Sequence, residues 1–248
     1  ASGYVLPYAC SVGFFLVAAG VVLYRLRPDP LHLLAGEGQT GFRAPRVADL
    51  GLILAHPAAR IALLGMMLSQ AVMVAVMTVT PLHMVDGDQD PLIIGLMISL
   101  HIVGMYAFSP IIGEIADRVS KELLIGIGAV ITALGSEIAS HTDAPDATGH
   151  MMGLFLIGIG WCASLVAGSA LMTEAFEPEV RVATQATADV LMTATGAAAG
   201  IFSGLAVEQR SYHDLAHWAT FVSIFLAVVA AVAVVQSSRV RETGTHSS

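Results

Sequence analysis

The chain has 248 residues, of which 56% are apolar and only 12% are charged, and its mean hydropathy is +0.76. A soluble globular domain carries about 25% charged residues, so this composition excludes an ordinary soluble domain, and the high hydrophobicity excludes a disordered chain. The net charge of −8 excludes the basic patch of a nucleic-acid-binding protein. The composition predicts an all-α membrane protein.

Seven apolar stretches are each long enough for a membrane-spanning helix, which needs about 20 residues. In chain order they cover residues 4–24, 60–83, 92–113, 122–140, 151–173, 182–206 and 215–236. We predict a helix in each stretch, and a short amphipathic helix over residues 47–54 that lies on the membrane surface. The sequence therefore predicts a polytopic bundle of seven transmembrane helices.

The basic residues are distributed unequally between the two sides of this predicted bundle. Every Lys and Arg except Arg210 falls in the loops or the tail of one side. Basic loops of membrane proteins face the cytoplasm, so we expect Arg118 and Arg239 inside and Asp86 and Asp143 outside. The C-terminus is then cytoplasmic, and the expected location is the cell membrane, inner or plasma.

Two classes of seven-helix protein fit this pattern: a receptor or sensor without transport activity, and part of a larger transporter. A retinal protein is excluded, because the single lysine, Lys121, lies in a loop and not in the last helix. No P-loop, His-Glu-x-x-His or Gly-x-Ser-x-Gly motif is present, so we do not expect an enzyme. The chain begins with Ala1 and lacks the basic start of a signal peptide, and we expect a fragment or a processed product.

The loop after the third predicted span carries a distinctive pattern. It reads Gly-Glu-Ile-Ala-Asp-Arg-Val-Ser-Lys over residues 113–121. This loop resembles the signature loop of the major facilitator superfamily, Gly-x-x-x-Asp-Arg-x-Gly-Arg-Arg/Lys. The positions that match in identity or in charge are Gly113, Asp117, Arg118 and Lys121. Ser120 and Glu122 depart from the pattern, as is typical of the second copy of this loop in the family.

The placement of the loop also resembles the family. There it joins the second and third helices of each six-helix half, whereas here it follows the third span. The resemblance therefore implies the C-terminal half of the superfamily fold plus one preceding helix. The implied domains are residues 1–25 as the sixth helix of a twelve-helix protein, 26–59 as the cytoplasmic linker between halves, 60–237 as the six-helix C-terminal bundle and 238–248 as a cytoplasmic tail.

The resemblance implies secondary active transport of a small molecule by alternating access. We expect coupling to protons and export rather than uptake, with no cofactor and no nucleic-acid partner. The expected partners are the lipid bilayer, the small-molecule substrate and an N-terminal half of the same protein that lies outside this chain. A half-transporter that forms dimers is the remaining alternative within this class.

Ionisable groups inside a membrane-spanning helix are candidates for function, because placing them in the bilayer is costly. Asp189 lies inside the sixth span, and Gln185 and Thr193 share its helix face at a spacing of four residues. A carboxylate there can bind and release a proton. His101, in the middle of the third span, is the competing proton carrier. The alternatives are a packing role for Asp189 and a neutral histidine bonded to a backbone carbonyl.

Other candidates belong to the expected substrate cavity. One stripe on the second span consists of Met66, Gln70, Met73, Met77 and Met84. Methionines give a soft surface that suits varied apolar ligands, although core packing is the competing interpretation. Trp161 lies too deep in the fifth span to anchor at the membrane interface, so we predict either a cavity wall or a packing residue.

Charged residues on the basic side are candidates for a gate. The resemblance implies that Asp117 and Arg118 belong to a charged latch that holds one conformation until it breaks. Glu174 and Arg181 flank the loop between the fifth and sixth spans and are predicted to form a second gate pair. Solvated loop charges are the alternative for both residues.

Overall fold

A computed structural model describes residues 5–25 and 46–245, and it divides into two compact units, residues 1–43 and 44–248. The first unit contains helix α1, Val5–Arg25, whose apolar part Val12–Arg25 has exposed side chains. Residues 26–45 of the predicted linker and residues 246–248 of the predicted tail lie outside the described residues.

The second unit consists of helices, and these follow the predicted spans. They are α2 Val47–Ala55, α3 Pro57–Asp86, α4 Pro91–Tyr106, α5 Ser109–Arg118, α6 Lys121–Ser140, α7 Ala147–Ala175, α8 Pro178–Gln209 and α9 Tyr212–Thr245. Six spans in the described part of the chain are long and apolar enough to cross a membrane, with α4 and α5 counted together as Pro91–Arg118. The predicted all-α polytopic fold is confirmed. The short helix predicted over residues 47–54 is α2, and its place on the membrane surface stays a prediction.

The third predicted span is broken where a single helix was expected. Helix α4 ends at Tyr106, and α5 begins at Ser109. Pro110 explains the break, because its ring clashes with the carbonyl group four residues earlier and it cannot donate a helical hydrogen bond. Helix α5 then leads directly into the signature loop.

The core lies around α3, α6 and α7. In their apolar parts 50%, 56% and 61% of the residues are buried, against 17% in α4–α5, 17% in α8 and 28% in α9. Glycines allow α6 and α7 to approach closely: a Cβ atom on Gly128 would lie 2.7 Å from the Gly160 carbonyl oxygen. Helices α4 and α8 therefore leave most of their surface uncovered within this chain.

Contacts between loops define two ends of the bundle. At the acidic end, formed by residues 87–90, 141–146 and 210–211, Gln89 donates a hydrogen bond to the Pro145 carbonyl. At the basic end, formed by α2 and by residues 119–120 and 176–177, the rings of His56 and Phe176 lie 5.6 Å apart. The basic end carries Arg46, Arg60, Arg118, Lys121 and Arg181, whereas Arg210 lies at the acidic end. The structure thus groups the loops as the charge pattern predicts, and which end faces the cytoplasm stays a prediction.

Candidate transport site and gate

Four helices meet around Gln70 of α3. The Trp161 indole Nε1–H of α7 donates a 2.7 Å hydrogen bond to the Gln70 side-chain oxygen. Tyr106 of α4 packs edge-on against Trp161 with ring centroids 5.9 Å apart. On α8, a Cβ atom at Gly196 would lie 3.0 Å from Gln70 Nε2, so the glycine leaves room for the amide. We call these four residues the Gln70–Trp161 site.

In the Gln70–Trp161 site, the Trp161 N–H group has its hydrogen-bond partner, whereas the Gln70 amide can still donate hydrogen bonds. Trp161 is 5% exposed and its N–H group is already bonded, so the ring is fixed in place. Gln70 is half-buried, and its Nε2 group bonds to no other described residue, which leaves two N–H donors for a further partner. Tyr106 is 57% exposed. The sequence pointed to Gln70 and Trp161 but gave no reason to single out Tyr106.

The methionine stripe divides between core and partly covered positions. Met66, Met73 and Met84 are buried in the hydrophobic core. Met77 is only half-buried and packs against that core. The structure therefore gives Met73 the surroundings of a packing residue and leaves Met77 as the member of the stripe with an accessible side chain.

Asp189, Gln185 and Thr193 share one face of α8. Gln185 Nε2 donates a 2.9 Å hydrogen bond to the Asp189 carboxylate. The Thr193 hydroxyl instead donates to the Asp189 backbone carbonyl at 2.8 Å, so it does not bond the carboxylate. Asp189 and Thr193 are exposed within this chain, because this face of α8 meets no other described helix closely.

His101 is held between α4 and α7. Its ring is fully buried, and Nδ1 lies 2.6 Å from the Leu154 backbone oxygen. Because a carbonyl oxygen only accepts hydrogen bonds, Nδ1 carries the hydrogen. Nε2 is buried with no hydrogen-bond partner in the described part of the chain. This geometry agrees with the alternative of a neutral histidine bonded to a carbonyl.

The charged residues of the signature loop form one clear bridge to α7. Lys121 Nζ lies 2.8 Å from a Glu174 carboxylate oxygen, and the Lys121 side chain is only 19% exposed. Arg118 pairs with Glu114 of its own helix at 2.5 Å, and both side chains are exposed. Asp117 lines a pocket of about 260 Å³ that also includes Lys121 and Glu174. A Cβ atom at Gly113 would meet nothing within 4 Å in this chain.

The expected pair of Glu174 and Arg181 does not form. Glu174 bonds Lys121, and Arg181 donates from Nε and Nη2 to the Phe176 carbonyl oxygen at 3.2 and 3.1 Å. Arg181 bonds there because the carbonyl groups at the C-terminal end of a helix have no partners within the helix. The Arg181 guanidinium group supplies the missing partner for one of them at the end of α7. The bridge at the basic end therefore joins α6 to α7.

Sequence comparison places this arrangement among known proteins. Residues 62–247 match the Major Facilitator Superfamily. The chain belongs to this superfamily. Its members are membrane transporters and not enzymes, and the alternative of a seven-helix receptor is overturned. The chain is thus part of a multi-pass membrane protein, and the superfamily resemblance predicted from the signature loop is confirmed.

Three relatives illustrate the similarity. An uncharacterized MFS-type transporter of Bacillus subtilis (strain 168), YddS, is 33% identical over 229 residues, which are 90% of this chain and 52% of YddS. A second one, YdeG of the same organism, is 31% identical over 90% of this chain and 53% of YdeG. The riboflavin transporter RfnT of Brucella anthropi is 29% identical over 90% of this chain and 56% of RfnT. The chain spans about half the length of these relatives.

Proposed function

We propose that this chain forms the C-terminal half of a secondary transporter that moves a small molecule across the cell membrane by alternating access. The membership of the superfamily supports this function. The little-buried helices α4 and α8 offer the surface that an N-terminal half would cover, with the central cavity between the two halves. The lipid bilayer covers the remaining apolar faces, and the basic end with the C-terminus lies in the cytoplasm.

The Gln70–Trp161 site is the observation that carries the substrate proposal. It combines the exposed ring of Tyr106, packed edge-on against the buried Trp161, with two amide N–H donors of Gln70 that bond to no other described residue. Such a surface suits a planar, conjugated molecule, which stacks on Tyr106 and accepts hydrogen bonds from Gln70. One relative is a riboflavin transporter, and riboflavin has this chemistry. We therefore propose a planar heteroaromatic substrate with carbonyl acceptors.

The signature loop is the proposed gate at the basic end. The bridge between Lys121 and Glu174 joins α6 to α7 within this chain and holds the loop in place, and the exposed Asp117 and Arg118 beside it are available to the N-terminal half. Contacts of these two residues with the N-terminal half would hold the halves together at this end, and breaking them would let the halves rock apart. Arg181 stabilises the neighbouring end of α7 and is not part of the proposed bridge.

Proton coupling is proposed for Asp189. Its carboxylate lies well inside α8, on the exposed face that includes Thr193, and its only side-chain partner among the described residues is Gln185. An N-terminal half that closes over this face and opens again would change the hydration of the carboxylate and so its protonation. We propose export as the direction of transport, and measurement of transport in both directions tests it.

Binding of riboflavin to the purified full-length protein tests the substrate site. Gln70→Ala removes the amide donors and also leaves the Trp161 N–H without its acceptor. We expect it to weaken binding by about fivefold or more, the value of one lost hydrogen bond. Trp161→Phe should weaken binding as well, whereas Trp218→Phe, on α9 and far along the chain from the site, should leave it unchanged. Isothermal titration calorimetry measures all four proteins.

Two results would contradict the site. Equal affinity in wild type and Gln70→Ala would show that the amide does not touch the ligand. Absence of riboflavin binding in the wild type would reject this ligand, and a panel of other planar heteroaromatic compounds would then test the class. Binding only of compounds without a conjugated ring would reject the class itself.

A further inference from the structure

Three histidines from three different helices meet at the acidic end. His83 lies in the last turns of α3, His150 in the first turn of α7 and His213 in the first turn of α9. The ring of His83 is 5.5 Å from that of His150 and 5.2 Å from that of His213. Tyr212 stacks on His83 at 4.2 Å and also contacts the other two rings. We call these four residues the histidine cluster.

Hydrogen bonds fix the tautomers of two of these rings. His150 Nδ1 lies 2.7 Å from the Asp146 backbone oxygen, and His213 Nδ1 lies 2.9 Å from the Ser140 backbone oxygen. Carbonyl oxygens only accept, so both Nδ1 atoms carry hydrogen. In a neutral ring this leaves Nε2 as a bare acceptor. His150 Nε2 is buried with no partner in the described part of the chain.

His83 also has an unused ring nitrogen. Its Nε2 atom is buried and bonds to no described group. Tyr212 cannot supply the missing hydrogen bond: Thr80 donates its hydroxyl hydrogen to the Val76 carbonyl, so the Tyr212 O–H group donates to Thr80 at 3.0 Å. The cluster therefore holds one buried lone pair, on His150 Nε2, and one buried nitrogen of His83 that has no partner among the described residues.

Burial opposes a positive charge on the rings of the closed cluster, because a buried charge loses its hydration. Asp86 of α3 acts on His83, which also faces the Thr142 backbone, and Asp146 acts on His150. These carboxylates offset only part of that cost, because burial is the largest influence on both His83 and His150. Two protonated rings at 5.2 to 5.5 Å would repel each other. Among the described residues, no group of three possible ligands is arranged to hold a metal ion.

We propose that the histidine cluster is a proton-binding switch that joins α3, α7 and α9 at the acidic end. In the neutral state the stacked rings hold the three helix ends together. Protonation of one ring puts an unhydrated charge into this buried contact, and the rings separate so that water reaches it, which loosens this end of the bundle. The cluster lies apart from Asp189, so this switch operates whether or not transport is coupled to protons.

Hydrogen–deuterium exchange of the full-length protein in lipid nanodiscs tests the switch. Imidazole changes charge between about pH 5 and pH 8, so exchange is compared at about pH 7.5 and about pH 5.5 after correction for the intrinsic rate. Opening that takes up one proton shifts its equilibrium by up to about tenfold per pH unit. We expect faster exchange at the lower pH in segments 80–88, 141–152 and 210–216, and no such change at the basic end.

Variants distinguish the contribution of the cluster to the pH response from that of the other histidines at the acidic end. His150→Asn and His213→Asn keep a donor for the carbonyl at the Nδ1 position but cannot titrate, and His83→Gln removes the third ring. Each should reduce the pH response severalfold. His141→Gln and His217→Gln are matched controls, because these exposed rings pair with Glu137 outside the cluster, and they should keep it.

The exchange measurements decide whether the histidine cluster acts as a proton-binding switch. A wild-type protein whose exchange at these segments does not depend on pH overturns the proposal. So does a response that persists in the cluster variants or disappears only in the controls. If His83→Gln or His150→Asn does not fold, His213→Asn still tests the proposal, because the ring of His213 is only half-buried. Transport activity plays no part in the readout, so failure of the proposed transport function leaves the result unaffected.

Discussion

Asp189 is the residue on which the coupling proposal rests. Asp189→Asn keeps the size of the side chain and the contact with Gln185 but cannot bind a proton. In proteoliposomes that contain the full-length protein, we expect the variant to lose substrate accumulation driven by a pH gradient. Exchange of substrate across the membrane without a gradient should continue, because it needs no net proton movement.

The control for this experiment is Glu208→Gln at the far end of α8, which should accumulate substrate like the wild type. Accumulation by Asp189→Asn at the wild-type level would make Asp189 a structural residue. His101 would then become the next variant to test, because its buried Nε2 atom has no partner among the described residues.

Individual side-chain partners were the hardest feature to predict from the sequence. Spacing correctly placed Asp189, Gln185 and Thr193 on one face, since helical periodicity alone decides that. The sequence paired Glu174 with Arg181, whereas the structure pairs it with Lys121. The packing of α6 on α7 brings Lys121 close, and a local sequence pattern does not contain that information. No local sequence pattern predicts the histidine cluster, because its residues are far apart in sequence.

Among the elements, the helices themselves were well predicted. Long apolar stretches decide where a helix can cross the bilayer, so each predicted span within the second unit corresponds to a described helix or helix pair. Prediction failed at Pro110, where apolar composition continues although the backbone breaks into α4 and α5. Which methionines face the core also required the packing of neighbouring helices, since the stripe on α3 gave only their common side.

The tight contact between α6 and α7 makes a prediction about glycine. A Cβ atom at Gly128 would lie 2.7 Å from the Gly160 backbone oxygen, so Gly128→Ala must push the helices apart. We expect a loss of about 1–3 kcal/mol in the free energy of unfolding, as for other overpacked cores. Thermal unfolding of the full-length protein in detergent measures this as a lowered midpoint.

Gly51→Ala on α2 is the matched control, because a Cβ atom there meets nothing within 4 Å and α2 is not one of the two helices proposed to meet the N-terminal half. This substitution should leave the midpoint unchanged or raise it slightly, since alanine favours a helix over glycine. An unchanged midpoint for Gly128→Ala would mean that the helices are farther apart than described.

In the proposed transporter, this chain forms half of a gated pathway. The uncovered helices α4 and α8, the open Gln70–Trp161 site and the bridge at the basic end all belong to one bundle. The charge pattern predicted which loops share an end, because long helices alternate direction through the bundle. The identity of the substrate depends on the site and on the other half, and composition carries little information about either.

The central claim, transport by alternating access, is tested most directly by labelling one cysteine in the proposed cavity from both sides of the membrane. Tyr106→Cys, at the exposed ring of the Gln70–Trp161 site, is made in the full-length protein after replacement of Cys10 and Cys162. A membrane-impermeant maleimide is added to one side or the other of proteoliposomes, and the protein without any cysteine is the control. Alternating access predicts labelling of position 106 from both sides. Labelling from one side only, with riboflavin or the ligand that replaces it present or absent, would contradict this claim.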